Sequence, residues 1–258
     1  QRLRDDRELV RARVDVADEM TRIKLKMRSL LKRYENPANY PTKTNWTKTH
    51  LRWLREKIVP ELEMTVGVKL RLLLDRLEMY RHEEGELDKA LKILSREERY
   101  KIPCSELRKL PGVGLLVSMT YLTEMGDLAR FHNRREVAAY LGLCPSCHES
   151  GKADDRKGRI TRQGPARLRK MLCQAAWVSI SKCCEQAAAY HRIRQNQKQR
   201  TKKALVALMR KLGIKMWHSA LRCGVSEELV GRGGPHDLAG ASPGQRAKAA
   251  DRPVGCPA

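Results

Sequence analysis

Aromatic side chains are scarce in this 258-residue chain, at 5% of all residues, and Phe131 is its single phenylalanine. With so few rings and only 41% of residues hydrophobic, a small globular domain plus elongated helices is expected. Carboxylates are short as well, with 30 Asp and Glu against 53 Lys and Arg, a formal charge of +23 and a pI near 10.0. That excess is far beyond what solubility requires and points to a polyanionic partner, nucleic acid first. No run of about 18 apolar residues occurs, which excludes a membrane-spanning helix, and no apolar signal core follows the charged start. The cytoplasm is the expected location. Eight cysteines in a Lys-rich chain without a signal sequence read as thiols of a reducing compartment, not as a disulfide framework. The chain opens at Gln1, without Met and already in a helical pattern, so a missing upstream part is expected.

What is present is helical periodicity. From Leu9 to Tyr34 the apolar positions Leu9, Val16, Met20, Ile23, Met27, Leu30 and Tyr34 step mostly by three and four, the spacing of a coiled-coil seam. Asn36 and Pro37 end that helix, and the stretch to Asn45 reads as a connector. Beyond Pro60, placed as at a helix start, Leu62, Val66, Leu70, Leu73, Leu77, Tyr80, Leu87, Leu91 and Leu94 form a second and stronger seam. Two such helices either fold back as an antiparallel hairpin or pair with another subunit, the commoner use of long seams, so a homo-oligomer through the coiled coil is expected. The fold class predicted is mostly α: a coiled-coil arm over 1–104, a compact helical domain over 105–224, and a Gly-, Ala- and Pro-rich tail over 225–258 expected to be disordered.

Within the compact domain Ser105 is a candidate cap for a short helix over 106–109. Leu115 to Met125 reads as a buried helix, Asn133 caps another from Arg134 to Leu141, and Pro165 starts a third that runs to about Ala189. Ala204 to Leu221 returns to helical spacing after a basic link over 191–203. Between Gly142 and Gly164 no helical period survives, and a loop or hairpin is expected with Gly151, Gly158 and Gly164 as turning points.

Leu107, Leu110, Pro111, Gly112, Val113 and Gly114 ahead of an apolar helix have the form of a helix-hairpin-helix. Its glycines permit a sharp turn and leave amides at the next helix start open to a phosphate, which holds a DNA backbone without reading bases. The plain alternative is an ordinary helix-helix turn. Ser150 and Gly151 lie in a loop with Lys152, Arg156, Lys157, Arg159 and Arg162, interrupted by Asp154 and Asp155. Those cations, with Arg169 at the end of the same basic run, are candidates to bind or stabilise phosphate. By motif alone a loop serine beside glycine is far more often turn chemistry than a nucleophile, since no activating base is evident from the spacing. Cys144, Cys147 and His148 resemble half a zinc site, but adjacent Cys183 and Cys184 lack the usual two-residue gap, which favours free thiols. No carboxylate cluster for a catalytic metal is spelled out around Glu124, Asp127 and Glu149, and His132, His148 and His191 stand singly.

The central segment resembles the C-terminal transposase domain of the insertion-sequence one-ten family, serine-type DNA transposases that join this domain to a RuvC-like DEDD nuclease domain. The resemblance rests on Leu110 to Gly114, then Gly126, Asp127 and Phe131, then Ala139 to Leu143 with Pro145. It continues through Ser150 and Gly151, Ile160 to Gly164, Leu168 and Arg169, Leu172, and Ala175 and Ala176, in order and spacing, over roughly 105–223. It implies DNA transposition, with strands cut and rejoined through a covalent phosphoserine. The serine at the matching position is Ser150, with Ser146 as the fallback. It also implies Mg²⁺ held by carboxylates of a RuvC-like domain upstream of Gln1, and no metal bound by this chain. The expected partner is DNA, joined in some family members by a guide RNA, in a bacterial, nucleoid-associated setting, and the isolated chain is expected to bind but to cut poorly. The alternative from another class is a non-catalytic helix-hairpin-helix module that binds nucleic acid.

Overall fold

The structure, a computed structural model, describes residues 2–34, 45–147 and 157–223. Helix α1 runs over Arg2–Arg33 and α4 over Met64–Leu94. The two pack antiparallel, because Arg13 near the start of α1 meets Glu84 and Asp88 near the end of α4. The seam residues Met20, Ile23, Met27 and Leu30 are buried with Leu70, Leu73, Leu74 and Leu77. Of the two uses open to these seams, the structure shows the hairpin within one chain. A second face of α4 is left exposed, with Met64, Val68, Leu72 and Met79.

Between them Thr47 caps α2 (Lys48–Trp53), accepting from the amide of His50. A π turn, Leu54–Ile58, leads into the short α3, Val59–Glu61. Pro60 therefore sits in α3 and does not start the long helix, which begins after Glu63. His50 is buried between the rings of Trp46 and Trp53, and its Nδ1 accepts the Trp46 amide at 2.9 Å.

The larger core gathers α5 (Glu98–Arg108), α6 (Leu115–Met125), α7 (Arg134–Tyr140), α8 (Ala166–Lys182), α9 (Cys184–Arg194) and α10 (Thr201–Leu221), with Val10 of α1 and Leu91 and Leu94 of α4. Helix α10 packs on α5, α7, α8 and α9. The Tyr121 hydroxyl donates to the Gly213 carbonyl at 2.7 Å, and Trp217 Nε1 donates to the Leu128 carbonyl at 3.1 Å. Helices 115–125 and 134–140 match their predicted spans, the latter through Asn133, whose side chain accepts the amides of Arg135 and Glu136. Between them and α8 lies a two-stranded antiparallel hairpin, β1 (Pro145–Cys147) with β2 (Lys157–Ile160).

Two further expected elements differ. The predicted short helix after Ser105 is the end of α5, which begins seven residues earlier and contains Pro103; the Ser105 hydroxyl donates to the Ile102 carbonyl. One lost amide bond at proline is outweighed by burying Tyr100, Pro103, Cys104 and Leu107 on one face. The helix expected from Pro165 to Ala189 breaks at Cys183, whose extended backbone turns α9 back so that Tyr190 is buried in the core. The 225–258 tail lies outside the described residues, among which no helix is long and apolar enough to cross a membrane.

Polar links fix α1 against this core. Asp6 accepts from Arg99 at 3.1 Å and from the Tyr100 hydroxyl at 2.8 Å, and Arg7 Nε donates to the Thr123 carbonyl at 2.9 Å. Arg11 grips Glu124 through Nε at 2.8 Å and Nη2 at 3.1 Å. Asp15 accepts two bonds from Arg167, and Asp18 pairs with Lys170.

Two outcomes are expected. The Glu124 side chain is only 6% exposed and that of Arg11 32%. Arg11→Met, which strands that carboxylate, should lower stability in urea unfolding by about 2 kcal/mol, solvent on the arginine side reducing the full cost of a broken buried pair. Arg22→Met, which opens the exposed pair with Glu19, should change it by less than about 1 kcal/mol. Burial lowers the His50 pKa below its ordinary 6.5. The unfolded chain therefore takes up the proton first, and the stability that neutral His50 provides above about pH 6.5 is lost as pH falls through that value toward the folded pKa. The urea midpoint should drop between pH 7.5 and pH 5.5, and drop less in His50→Gln.

Candidate nucleic-acid interface

The neck of the β1–β2 hairpin is where the glycines of the sequence pattern act. Gly142 (φ +66°) and Gly164 (φ +121°) take left-handed conformations on the two sides of the neck. A Cβ on Gly164 would stand 1.9 Å from the Tyr140 carbonyl oxygen, so the two chain segments touch backbone to backbone. The amide of Thr161 donates to the Cys144 carbonyl at 2.9 Å and that of Arg162 to the Gly142 carbonyl at 3.2 Å. Arg169 closes the clasp from α8: its Nη1 donates to the Gly164 carbonyl at 2.8 Å and reaches the Leu141 carbonyl at 3.4 Å. Burial, and then the Arg162 charge, lower the Arg169 pKa from its ordinary value. Arg130 lies between the rings of Phe131 and Tyr140, 4.6 and 4.5 Å from their centroids, and donates to the Met125 carbonyl. No sequence signal had marked Arg130; two rings that meet only after folding give it its place.

Of the candidate residues, Arg159 and Arg162 are exposed on β2 and at the neck, and Arg162 itself has φ +56°. Lys157 opens β2, with its side chain outside the described residues, and Ser150, Gly151, Lys152 and Arg156 lie outside them altogether. Ser146 is in β1, and its hydroxyl donates to the Arg159 carbonyl at 2.9 Å across the hairpin. In the basic run that ends at Arg169, the structure sets Arg167 and Lys170 against Asp15 and Asp18 of α1, so part of the expected phosphate-facing charge is answered within the chain.

The turn from α5 to α6 separates its two glycines. Gly112, with φ +81°, lies against α8, where a Cβ would meet the Ala175 carbonyl oxygen at 2.2 Å and the Ser179 amide at 2.9 Å. Its need for glycine comes from helix packing. Gly114 is exposed with open space around it and caps α6 with no side-chain hydrogen bond. The first amides of α6 therefore carry the partial positive charge of a helix start without an acceptor side chain.

Among the described residues no three His, Cys, Asp or Glu side chains come together as a metal site. Glu124 is held by Arg11, and Asp127 accepts the Ala129 amide at 2.9 Å in a turn. Cys144 and Cys183 are half-buried free thiols and Cys184 an exposed one, while His148 and the Cys147 side chain lie outside the described residues. The described residues do not fit Mg²⁺. A groove of about 560 Å³ between α1 and α4, lined by Lys26, Arg33, Lys69 and Arg76 over Leu30 and Leu72, belongs to the arm and not to the hairpin.

Charge is sorted along the fold. Residues 157–223 hold 17 Lys and Arg and a single carboxylate, Glu185. The family model described as Transposase IS116/IS110/IS902 family matches residues 104–192, the stretch that contains the α5–α6 turn, the hairpin neck and α8. This segment resembles the transposase domain of that family. The chain is similar to a putative transposase of Sinorhizobium fredii, 29% identical over 66% of this chain and 39% of that protein. It is similar to the transposase for insertion sequence element IS1111A of Coxiella burnetii, 28% identical over 46% of this chain and 30% of the relative. A pilin gene-inverting protein of Moraxella bovis is 34% identical over 42% of this chain and 34% of its own length. The chain thus covers two fifths or less of each of these relatives.

The two glycines of the turn should respond differently. Gly112→Ala forces a Cβ into backbone and is expected to cost about 3 kcal/mol, read as a fall in the urea midpoint. Gly114→Ala should cost about 1 kcal/mol, the loss of a favourable cap residue.

Proposed function

We propose that the chain is the DNA-handling part of a transposase that cuts and rejoins DNA strands. The observation that carries this reading is the one-sided charge of residues 157–223, 17 cations to one carboxylate, in a stretch that the transposase-family match covers as far as residue 192. Of these cations Arg167, Arg169 and Lys170 are engaged by Asp15, the Gly164 carbonyl and Asp18. A duplex presents one negative charge per about 1.7 Å of axis, and such a surface gains affinity by releasing its counterions. The names of the relatives, transposases and pilin gene-inverting proteins, support DNA rearrangement over simple binding.

Ser150 is the proposed nucleophile, in the 148–156 segment that joins β1 to β2. Its hydroxyl oxygen would form an ester bond to the phosphorus and expel a sugar oxygen, which takes the proton. The exchange keeps a phosphodiester-like bond for rejoining. Arg159 and Arg162, with Lys152, Arg156 and Lys157, supply positive charge to the attacked phosphate. Ser146 is a weaker nucleophile candidate because its hydroxyl already donates to the Arg159 carbonyl. Mg²⁺ belongs to this reading only as an ion held outside the described residues. A structured RNA suits the same cationic surface as DNA, and association through the arm would use the outer face of α4, since its inner seam is buried on α1.

The full-length protein should form a covalent adduct with a DNA substrate carrying the element's end, seen as a shifted band under denaturing conditions. Ser150→Ala should abolish it and Ser146→Ala should retain it. Adduct formation by Ser150→Ala would remove Ser150 as nucleophile, and DNA binding with no adduct from the unaltered protein would favour a non-catalytic binding module.

A further inference from the structure

Trp177 lies on α8 with 45% of its surface exposed, whereas Trp217 is 5% exposed in the core. Position 177 is off the buried stripe of α8, which runs through Leu168, Leu172, Ala175, Ala176 and Ser179. The Trp177 ring meets Tyr190 of α9 at 5.9 Å between centroids, tilted by 58°, and Tyr190 meets His191 at 5.5 Å, edge on. These three rings form a row across the α8–α9 boundary, buried at Tyr190 and exposed at both ends. From His191 the chain continues through a basic stretch to Lys203 with no carboxylate in it.

We propose that Trp177 is a base-stacking residue, its exposed ring receiving an unpaired base of a single-stranded segment whose phosphates run along the α9–α10 cations. The proposal rests on the nucleic-acid reading above and adds which state of the strand is bound. Within a duplex both faces of each base are covered by neighbouring pairs, so an indole finds an open base face only where a strand is unpaired or splayed. An aromatic ring next to a basic stretch is the pairing that single strands use, the cations tracking phosphates and the ring accepting any base. A protein partner for the same ring would have to be acidic around it. Tyr190, held in the core, fixes the tilt of the indole, so little rotamer freedom is lost when a base stacks.

The test titrates the 258-residue chain with a labelled oligothymidylate and with a duplex of the same length, following anisotropy at several salt concentrations. Trp177→Ala should weaken single-strand binding about fivefold or more, the loss of one base–aromatic stack, with duplex affinity and the salt slope unchanged. Trp177→Phe should retain most of the affinity, and the quenching of tryptophan emission by the strand, present in the unaltered protein, should vanish in it. Arg192→Ala, by contrast, should reduce the single-strand salt slope by about 0.7. Single-strand affinity of Trp177→Ala equal to that of the parent, or quenching undiminished in Trp177→Phe, would overturn the proposal and assign the ring to a protein contact. Absence of binding to either nucleic acid by the parent chain would overturn the nucleic-acid reading itself.

Discussion

The bidentate bond between Arg11 and Glu124 fixes the orientation on which the rest of the molecule depends. Helix α1 offers few apolar side chains before Val10, so burial alone does not determine how its first half is rotated or how far it slides. Directional polar bonds do. Asp6 reaches α5, Arg7 and Arg11 reach α6, Arg13 reaches α4, and Asp15 and Asp18 reach α8. A planar guanidinium on two carboxylate oxygens tolerates little rotation, so the Arg11 pair acts as a register pin, and the weaker exposed pairs follow from it. Helices α1 and α4 then stand as a hairpin at one set angle to the larger core.

That pinning also decides which cations remain for a ligand. Asp15 and Asp18 answer Arg167 and Lys170, and the Gly164 carbonyl takes Arg169, so the start of α8 is a structural joint despite its basic sequence. The positive surface left over is displaced toward β2, α9 and α10. A linear count of charge locates the basic segment, but the acids that neutralise part of it lie 152 residues away in sequence.

Much of the helical plan was legible because it is local. Seam spacing, the Asn133 cap and the apolar 115–125 run each act within one or two turns, and the resemblance to a transposase family rested on short linked motifs. The sequence could not choose between a hairpin and a dimer seam, because both bury the same residues. The break at Cys183 carries no glycine or proline; it arises because Tyr190 is buried only if α9 turns back. Pro103 inside α5 was hidden for the same reason, local cost being overruled by a buried face. At the candidate site, Gly164 was visible as a turning point, whereas Gly158, also expected to turn the chain, lies within β2, and the roles of Arg130 and Arg169 depend on rings and carbonyls assembled from separate elements.

The two glycines of the α5–α6 turn show how one motif divides between packing and binding. A Gly-Val-Gly turn before a helix suggests that both glycines face a phosphate. In the folded chain Gly112 is consumed by the approach of α8, where its absent side chain lets the Ala175 carbonyl come within van der Waals range of backbone. Only Gly114 keeps open space and uncapped amides. Locking the first glycine against α8 is what gives the second a fixed direction, because α8 also carries the Arg169 clasp of the hairpin neck. The turn and the hairpin neck are thus referred to one helix. The separation between the start of α6 and the hairpin neck is therefore set by α8, which contacts both.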